Sequence, residues 1–159
     1  MKFITLIIVL LIVSSCSREY QCEDTSITPV FLKYQPADID TLIIRKYILN
    51  SNFSNQTDSV IIRFGYSGYY ITHNDTTIVQ LFGERLKIES GFDWQIYIPS
   101  KNKVINISEI NSPKTSGKCN TGFFSKLACA CVNPIISCKK DNQPFVFNDF
   151  GAYNIYITN

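Results

Sequence analysis

The stretch Asp93-Trp94-Gln95-Ile96-Tyr97-Ile98, followed by Pro99-Ser100-Lys101-Asn102, decides the fold class. Trp94, Ile96 and Ile98 alternate with Asp93, Gln95 and Tyr97. Successive side chains on a strand point to opposite faces, so a period of two marks a strand with one apolar and one polar face. Residues 103–107, Lys-Val-Ile-Asn-Ile, are expected to pair with it across the intervening turn. Working outward, residues 41–49 and 59–64 are dense in β-branched and aromatic side chains. Residues 69–72 and 76–82 flank His73-Asn74-Asp75, which reads as a hairpin turn, and residues 85–89 carry a weaker strand signal. Residues 145–147 and 152–158 close the series. In the last, Tyr153, Ile155 and Ile157 are expected on one face and Asn154, Tyr156 and Thr158 on the other. Residues 114–125, polar with two glycines, read as a loop. Strands recurring roughly every ten residues between polar turns predict an all-β fold, an antiparallel β-sandwich or partly open barrel of about 7–9 strands.

Composition narrows the function classes. Fifteen Lys and Arg against thirteen Asp and Glu give a net charge of only +2 in 159 residues. No basic patch of nucleic-acid strength is present, so nucleic acid is excluded as a partner. A single histidine, His73, removes most histidine-based metal and catalytic schemes. No cofactor is indicated.

The N-terminus has the character of a secretory signal. Lys2 supplies positive charge, and residues 3–13 are apolar except for Thr5. Eleven residues rise only ~16 Å as a helix, whereas a membrane span needs about 20 residues. The run therefore reads as a signal h-region. It ends in Val13-Ser14-Ser15-Cys16, an aliphatic residue and two small residues before a cysteine. This resembles the lipobox of bacterial lipoproteins. The resemblance implies removal of residues 1–15 and acylation of Cys16, palmitate included, so that acyl chains hold the protein at a membrane. Removal of 15 residues from 159 leaves 144, and the charge falls to about +1 with the loss of Lys2. That length suits one domain. The expected organisation is a signal peptide at 1–15, the lipidated cysteine and a short polar tether at 16–25, and a single β-rich domain at 26–159.

Further segments carry a second resemblance. They are Tyr34-Gln35-Pro36-Ala37-Asp38-Ile39-Asp40-Thr41, Phe92-Asp93-Trp94-Gln95-Ile96-Tyr97-Ile98-Pro99, Val104-Ile105-Asn106-Ile107-Ser108-Glu109-Ile110 and Cys131-Val132-Asn133-Pro134-Ile135-Ile136-Ser137. With the lipobox, they are similar to a group of small lipoproteins of Bacteroidota-type bacteria. The resemblance implies a cell-envelope location and a β-rich fold, and it carries no activity. Ser17 lacks the aspartate that retains enteric lipoproteins at the inner membrane, which favours the outer membrane.

Beyond Cys16, the cysteines are Cys22, Cys119, Cys129, Cys131 and Cys138. An envelope compartment permits disulfides. Cys129 and Cys131, two apart on a strand, point the same way and are too distant for an unstrained bridge. Each is expected to pair elsewhere, with Cys119 and Cys138 the nearest candidates. Cys22 is then left over, either free or bridged to the C-terminal region. A zinc tetrathiolate from the last four is disfavoured, because their spacing lacks paired C-x-x-C knuckles.

Other candidate sites are weaker. Asp38, Asp40 and Asp24 have carboxylates suited to calcium, but no calcium-loop series follows and a solvated strand start is the better reading. Asp93 beside Trp94 suggests a sugar-binding aromatic, although a lone Trp at an alternating position is more often core. Asp40-Thr41-Leu42, Asp58-Ser59-Val60 and Asp75-Thr76-Thr77 resemble the O-glycosylation acceptor pattern of Bacteroidota envelope proteins, making Thr41, Ser59 and Thr76 candidate acceptors at expected strand starts or turns. No catalytic residues are assigned and no metal ligands are named. The function expected is a lipid-anchored, non-catalytic envelope module that binds a protein or a glycan. The alternative is a hydrolase or glycan-processing enzyme whose site is assembled from distant residues. Intact mass of the mature protein is expected to equal that of residues 16–159 plus acyl chains, and a chain beginning with an unmodified Cys16 would contradict the lipobox reading.

Overall fold

The structure is a computed structural model that describes residues 18–63, 68–73, 76–81, 87–119, 131–148 and 153–159. The signal segment and Cys16 lie outside the described residues. The strands are, in chain order, β1 (Arg18–Gln21), β2 (Glu23–Asp24), β3 (Thr28–Leu32), β4 (Thr41–Ile48), β5 (Gln56–Arg63), β6 (Gly68–His73) and β7 (Thr76–Leu81). They continue with β8 (Phe92–Ile98), β9 (Lys103–Asn111), β10 (Ser116–Cys119), β11 (Val132–Asn133), β12 (Ser137–Lys140), β13 (Gln143–Val146) and β14 (Asn154–Thr158). The fold is all-β. Single-turn 3-10 segments at Pro36–Asp38 and Pro99–Lys101 connect strands.

The described residues divide into two compact units, with boundaries at Glu23/Asp24, Pro113/Lys114 and Asn133/Pro134. The larger is built on a six-stranded antiparallel sheet of order β13-β12-β9-β8-β4-β5 and a four-stranded sheet of order β14-β3-β7-β6. Both sheets contribute to one core, which is the arrangement of a β-sandwich. The four-stranded sheet is mixed, because β14 runs parallel to β3, with Ile155 opposite Pro29 and Ile157 opposite Phe31. Flanking bonds hold that pair at its ends, from Thr28 N–H to the Tyr153 carbonyl at 2.8 Å and from Asn159 N–H to the Leu32 carbonyl at 3.2 Å.

The inner faces follow the alternation. On β8, Trp94, Ile96 and Ile98 are buried, and on the opposite sheet Phe31, Ile155 and Ile157 meet them in the same cluster. The Trp94 indole N–H donates to the Glu89 carbonyl at 2.9 Å, so its one polar group is satisfied inside. Tyr153 is buried with Ile155 and Ile157, while Tyr156 is exposed. On β9 the alternation breaks once. Register shifts between Ser137 and Lys139, and Glu109 takes a positive φ of 49°, which together form a β-bulge. The extra residue returns Ile110 to the inner face that Ile105 and Ile107 occupy, and all three are buried. On β4, Lys46 falls on the inner parity near the sandwich edge. Its ammonium lies 3.5 Å from the Phe92 ring centroid and 5.1 Å from that of Trp94, with the Glu89 carboxylate at 3.8 Å. The stem covers apolar surface while the charge finds rings and a carboxylate.

The smaller unit is tied by backbone pairing and one disulfide. β1 pairs antiparallel with β10, with Tyr20 opposite Gly117. A Cβ at Gly117 would lie 2.7 Å from the Tyr20 hydroxyl, so glycine is what lets the ring cross the neighbouring strand. Cys22 is bonded to Cys131 across 109 residues, with Cα atoms 4.9 Å apart. Closing a loop that long contributes about 4–5 kcal/mol in the chain-entropy account. Buried Asn133 donates to the Cys22 carbonyl at 2.9 Å and accepts from Thr115 N–H at 2.8 Å.

Several expectations change here. The polar residues expected as a tether form β1 and β2, because two-stranded backbone pairing and a disulfide need no apolar alternation. For the same reason Ser116–Cys119, expected within a loop, is a strand. Of the weak strand expected at 85–89, residues 85 and 86 lie outside the described residues, and Ile88 forms a single bridge with Ile27. β3 carries no strand signal strong enough to read, since Pro29 interrupts the pattern, yet parallel pairing and burial hold it. Trp94→Ala removes a 2 % exposed ring and strands the Glu89 carbonyl; it is expected to cost about 3–5 kcal/mol, read by chemical denaturation.

Candidate functional site

The polar half of the β8 alternation lies on the outer face of the six-stranded sheet, where register aligns it with its neighbours. Ile61, Ile43, Tyr97 and Val104 stand opposite one another on β5, β4, β8 and β9. Two residues along, Ser59, Arg45, Gln95 and Asn106 form a second row. Tyr47 stands opposite Asp93 in a third.

The second row is joined by hydrogen bonds. The Arg45 guanidinium donates to Gln95 Oε1 at 2.6 Å, and the Tyr47 hydroxyl donates to the same oxygen at 3.3 Å. Two donors on Oε1 turn Gln95 Nε2 toward β9, where it donates to Asn106 Oδ1 at 3.1 Å. The Asn106 backbone N–H donates to Asp141 Oδ1 at 2.8 Å, which fixes the far end. The Arg45 guanidinium also lies 5.2 Å from the Tyr97 ring centroid, and the Tyr97 hydroxyl donates to Asn102 Oδ1 at 3.3 Å. Arg45, Gln95, Tyr97 and Asn106 are half-buried, so each is held by neighbours and still reached by solvent.

Next to the rows sits a loop under strain. Asn50, Asn52 and Phe53 have φ of 60°, 51° and 56°. Asparagine tolerates the left-handed region, but for a phenylalanine it costs about 1–2 kcal/mol. The Phe53 ring packs edge-on against Tyr47 at 5.5 Å, which offsets part of that cost. Asp93, 3 % exposed, accepts the Asn50 N–H through Oδ2 at 2.9 Å. Its Oδ1 has no hydrogen-bond partner among the described residues. Such a group is costly to bury, and here it anchors the loop that positions Phe53 and Tyr47.

The residues singled out in the sequence fall elsewhere. Cys16 and Cys129 lie outside the described residues, and Cys119 ends β10. Cys138, a bridge candidate, is instead a free thiol. It sits on β12 facing the core, 3 % exposed among isoleucines and aromatics. Burial pushes that thiol up to about 11, against a smaller lowering by Lys140. Asp38 is engaged in the turn before β4: it meets Lys101 at 3.0 Å and accepts the Gln35 N–H at 3.1 Å. The Lys101 hydrogen bond, then that of Gln35, holds its carboxyl below the usual range. Asp40 is exposed. Among the described residues no three of His, Cys, Asp and Glu cluster as a metal site. Trp94 is core and offers no stacking surface. Thr41 and Thr76 begin β4 and β7, half-buried, whereas Ser59 lies inside β5, because that strand starts at Gln56 rather than at Ser59. His73 ends β6, and its turn neighbours Asn74 and Asp75 lie outside the described residues.

Sequence reasoning placed Gln95 and Tyr97 on one face of a strand but did not join them to Arg45, Tyr47 and Asn106. The signal was the polar residues on alternate positions of three apolar strands; the missing piece was register. No family model matches the chain, nor does any curated protein or solved structure.

Native Cys138 is expected to resist alkylation at pH 8 and to react once the chain is unfolded, as read by mass spectrometry. Its raised value also predicts declining stability from about pH 9 to 11, where the unfolded thiol ionises and the folded one does not.

Proposed function

We propose that this chain is a lipid-anchored envelope protein, held at a membrane by acyl chains on Cys16. It acts as a non-catalytic binding module whose ligand face is the outer face of the six-stranded sheet. The observation that supports this most is the hydrogen-bonded row of Arg45, Gln95 and Asn106 beside the Tyr97 ring. A guanidinium, two amides and an aromatic face, ordered before any ligand arrives, suit planar polar recognition and lower the entropy lost on binding. Those groups recognise a glycan or a polar protein surface. The Cys22–Cys131 disulfide suits an oxidising compartment, in keeping with an envelope location.

Binding of envelope polysaccharide and peptidoglycan fragments, measured by calorimetry, tests the reading. A bound fragment is expected to be released unchanged. Gln95→Ala and Tyr97→Ala are each expected to weaken binding about tenfold or more, near 1.4 kcal/mol. Chemical turnover of a fragment, or binding that both variants leave untouched, would contradict it.

A further inference from the structure

Among the described residues three buried side-chain oxygens have no hydrogen-bond partner: Asp93 Oδ1, Ser51 Oγ and Ser112 Oγ. The first two belong to one loop and its anchor. Asn50 N–H donates to Asp93 Oδ2 at 2.9 Å, and Ser51 is the next residue, one Cα step of ~3.8 Å along the chain. Ser51 Oγ nevertheless donates to neither carboxylate oxygen. Two buried oxygens on either side of one anchoring bond, both unbonded, call for a group between them.

The charge on Asp93 decides what kind of group. The residue is 3 % exposed. The cations around it are engaged elsewhere. Arg45 donates to Gln95 and faces the Tyr97 ring, Lys46 lies against Phe92 and Glu89 on the inner side, and Lys139 is paired with Glu109. Tyr47, directly opposite Asp93 on β4, sends its hydroxyl to Gln95. A water molecule would supply a hydrogen bond and leave the charge buried. A neutral carboxyl would only exchange an unused acceptor for an unused donor. A cation meets both oxygens and cancels the charge, as buried carboxylates require. The loop suits one. Residues 49–55, Leu-Asn-Ser-Asn-Phe-Ser-Asn, carry five oxygen-bearing side chains and no Lys or Arg. Its turn bonds use the Ile48 and Ser51 carbonyls, so those of Asn50 and Asn52 are not consumed by them.

We propose that Asp93 Oδ1 and Ser51 Oγ are ligands of a calcium ion that holds the 49–55 loop against the outer face of β8. All the donors are hard oxygens, and they come from a loop rather than from a rigid cage. That fits calcium, which takes about 6–8 oxygens at about 2.3–2.6 Å in flexible geometry, better than magnesium, which demands a near-ideal octahedron. A single carboxylate places the affinity in the weak range, about 0.1–1 mM. The site is independent of which ligand the sheet face takes.

Calorimetric titration of the full chain in detergent, stripped with chelator, with calcium chloride and separately with magnesium chloride tests this. Wild type is expected to bind one calcium ion with saturation near about 0.1–1 mM, and magnesium at least about tenfold more weakly. Asp93→Asn keeps an amide oxygen for Asn50 N–H and replaces the free carboxylate oxygen by an NH2 group. It is expected to weaken calcium binding at least about tenfold while leaving the near-ultraviolet signal of Trp94 unchanged. Ser51→Ala removes a hydroxyl that bonds no protein group; it is expected to weaken calcium binding about threefold or more, with the calcium-free melting temperature unchanged or raised. A wild type without saturable calcium binding, equal affinity for magnesium, or an affinity that either variant leaves unchanged overturns the proposal.

Discussion

The larger unit depends on the alternation of β8. This strand has β4 on one side and β9 on the other, so from Trp94 to Tyr97 it is paired on both sides and its register fixes theirs. Trp94, Ile96 and Ile98 fill the core from one face. A slip of one residue would drive Gln95 into the core and the indole into water. Burying an amide without partners costs about 2 kcal/mol or more, and exposing the ring forfeits a similar amount. The outer face is therefore not an independent feature. Arg45, Gln95 and Asn106 are aligned because the core residues between them are locked.

The departures from regularity concentrate where the alternation meets another demand. The bulge at Glu109 spends one residue to bring Ile110 inward. A second register shift, between Lys46 and Tyr47, lies where β4 runs into the loop of left-handed residues. There Asp93, buried beside Trp94 in sequence but facing the other way, holds Asn50 in place. The strain at Phe53 and the half-satisfied Asp93 carboxylate both occur at the margin of the outer face.

Much of this was legible in residues 92–107. The alternation in β8, its hairpin to β9 and, further on, the division of β14 into two faces follow from side-chain period; that Tyr153, Ile155 and Ile157 form its inward face does not. What period cannot supply is pairing between distant strands. β3 and β14 are parallel partners separated by most of the chain, and Pro29 hides the first of them. β1, β2 and β10 are polar ribbons held by backbone bonds and Cys22–Cys131, with no apolar stripe to announce them. The cysteines showed the same limit. Local spacing favoured Cys119 and Cys138 as partners of Cys131 and left Cys22 either free or bridged to the C-terminal region; Cys131 in fact reaches back to Cys22, and Cys138 serves as a core side chain. The candidate face was half legible: its residue types were visible, but their convergence required the register of three strands.

Native-state hydrogen exchange, resolved by residue, tests the central place of β8 most directly. The amides of Gln95, Ile96 and Tyr97 are expected among the slowest in the chain, exchanging only through global unfolding, with the four-residue edge β13 opening far more readily. Exchange of the β8 amides through local opening, at rates like those of β13, would contradict the account.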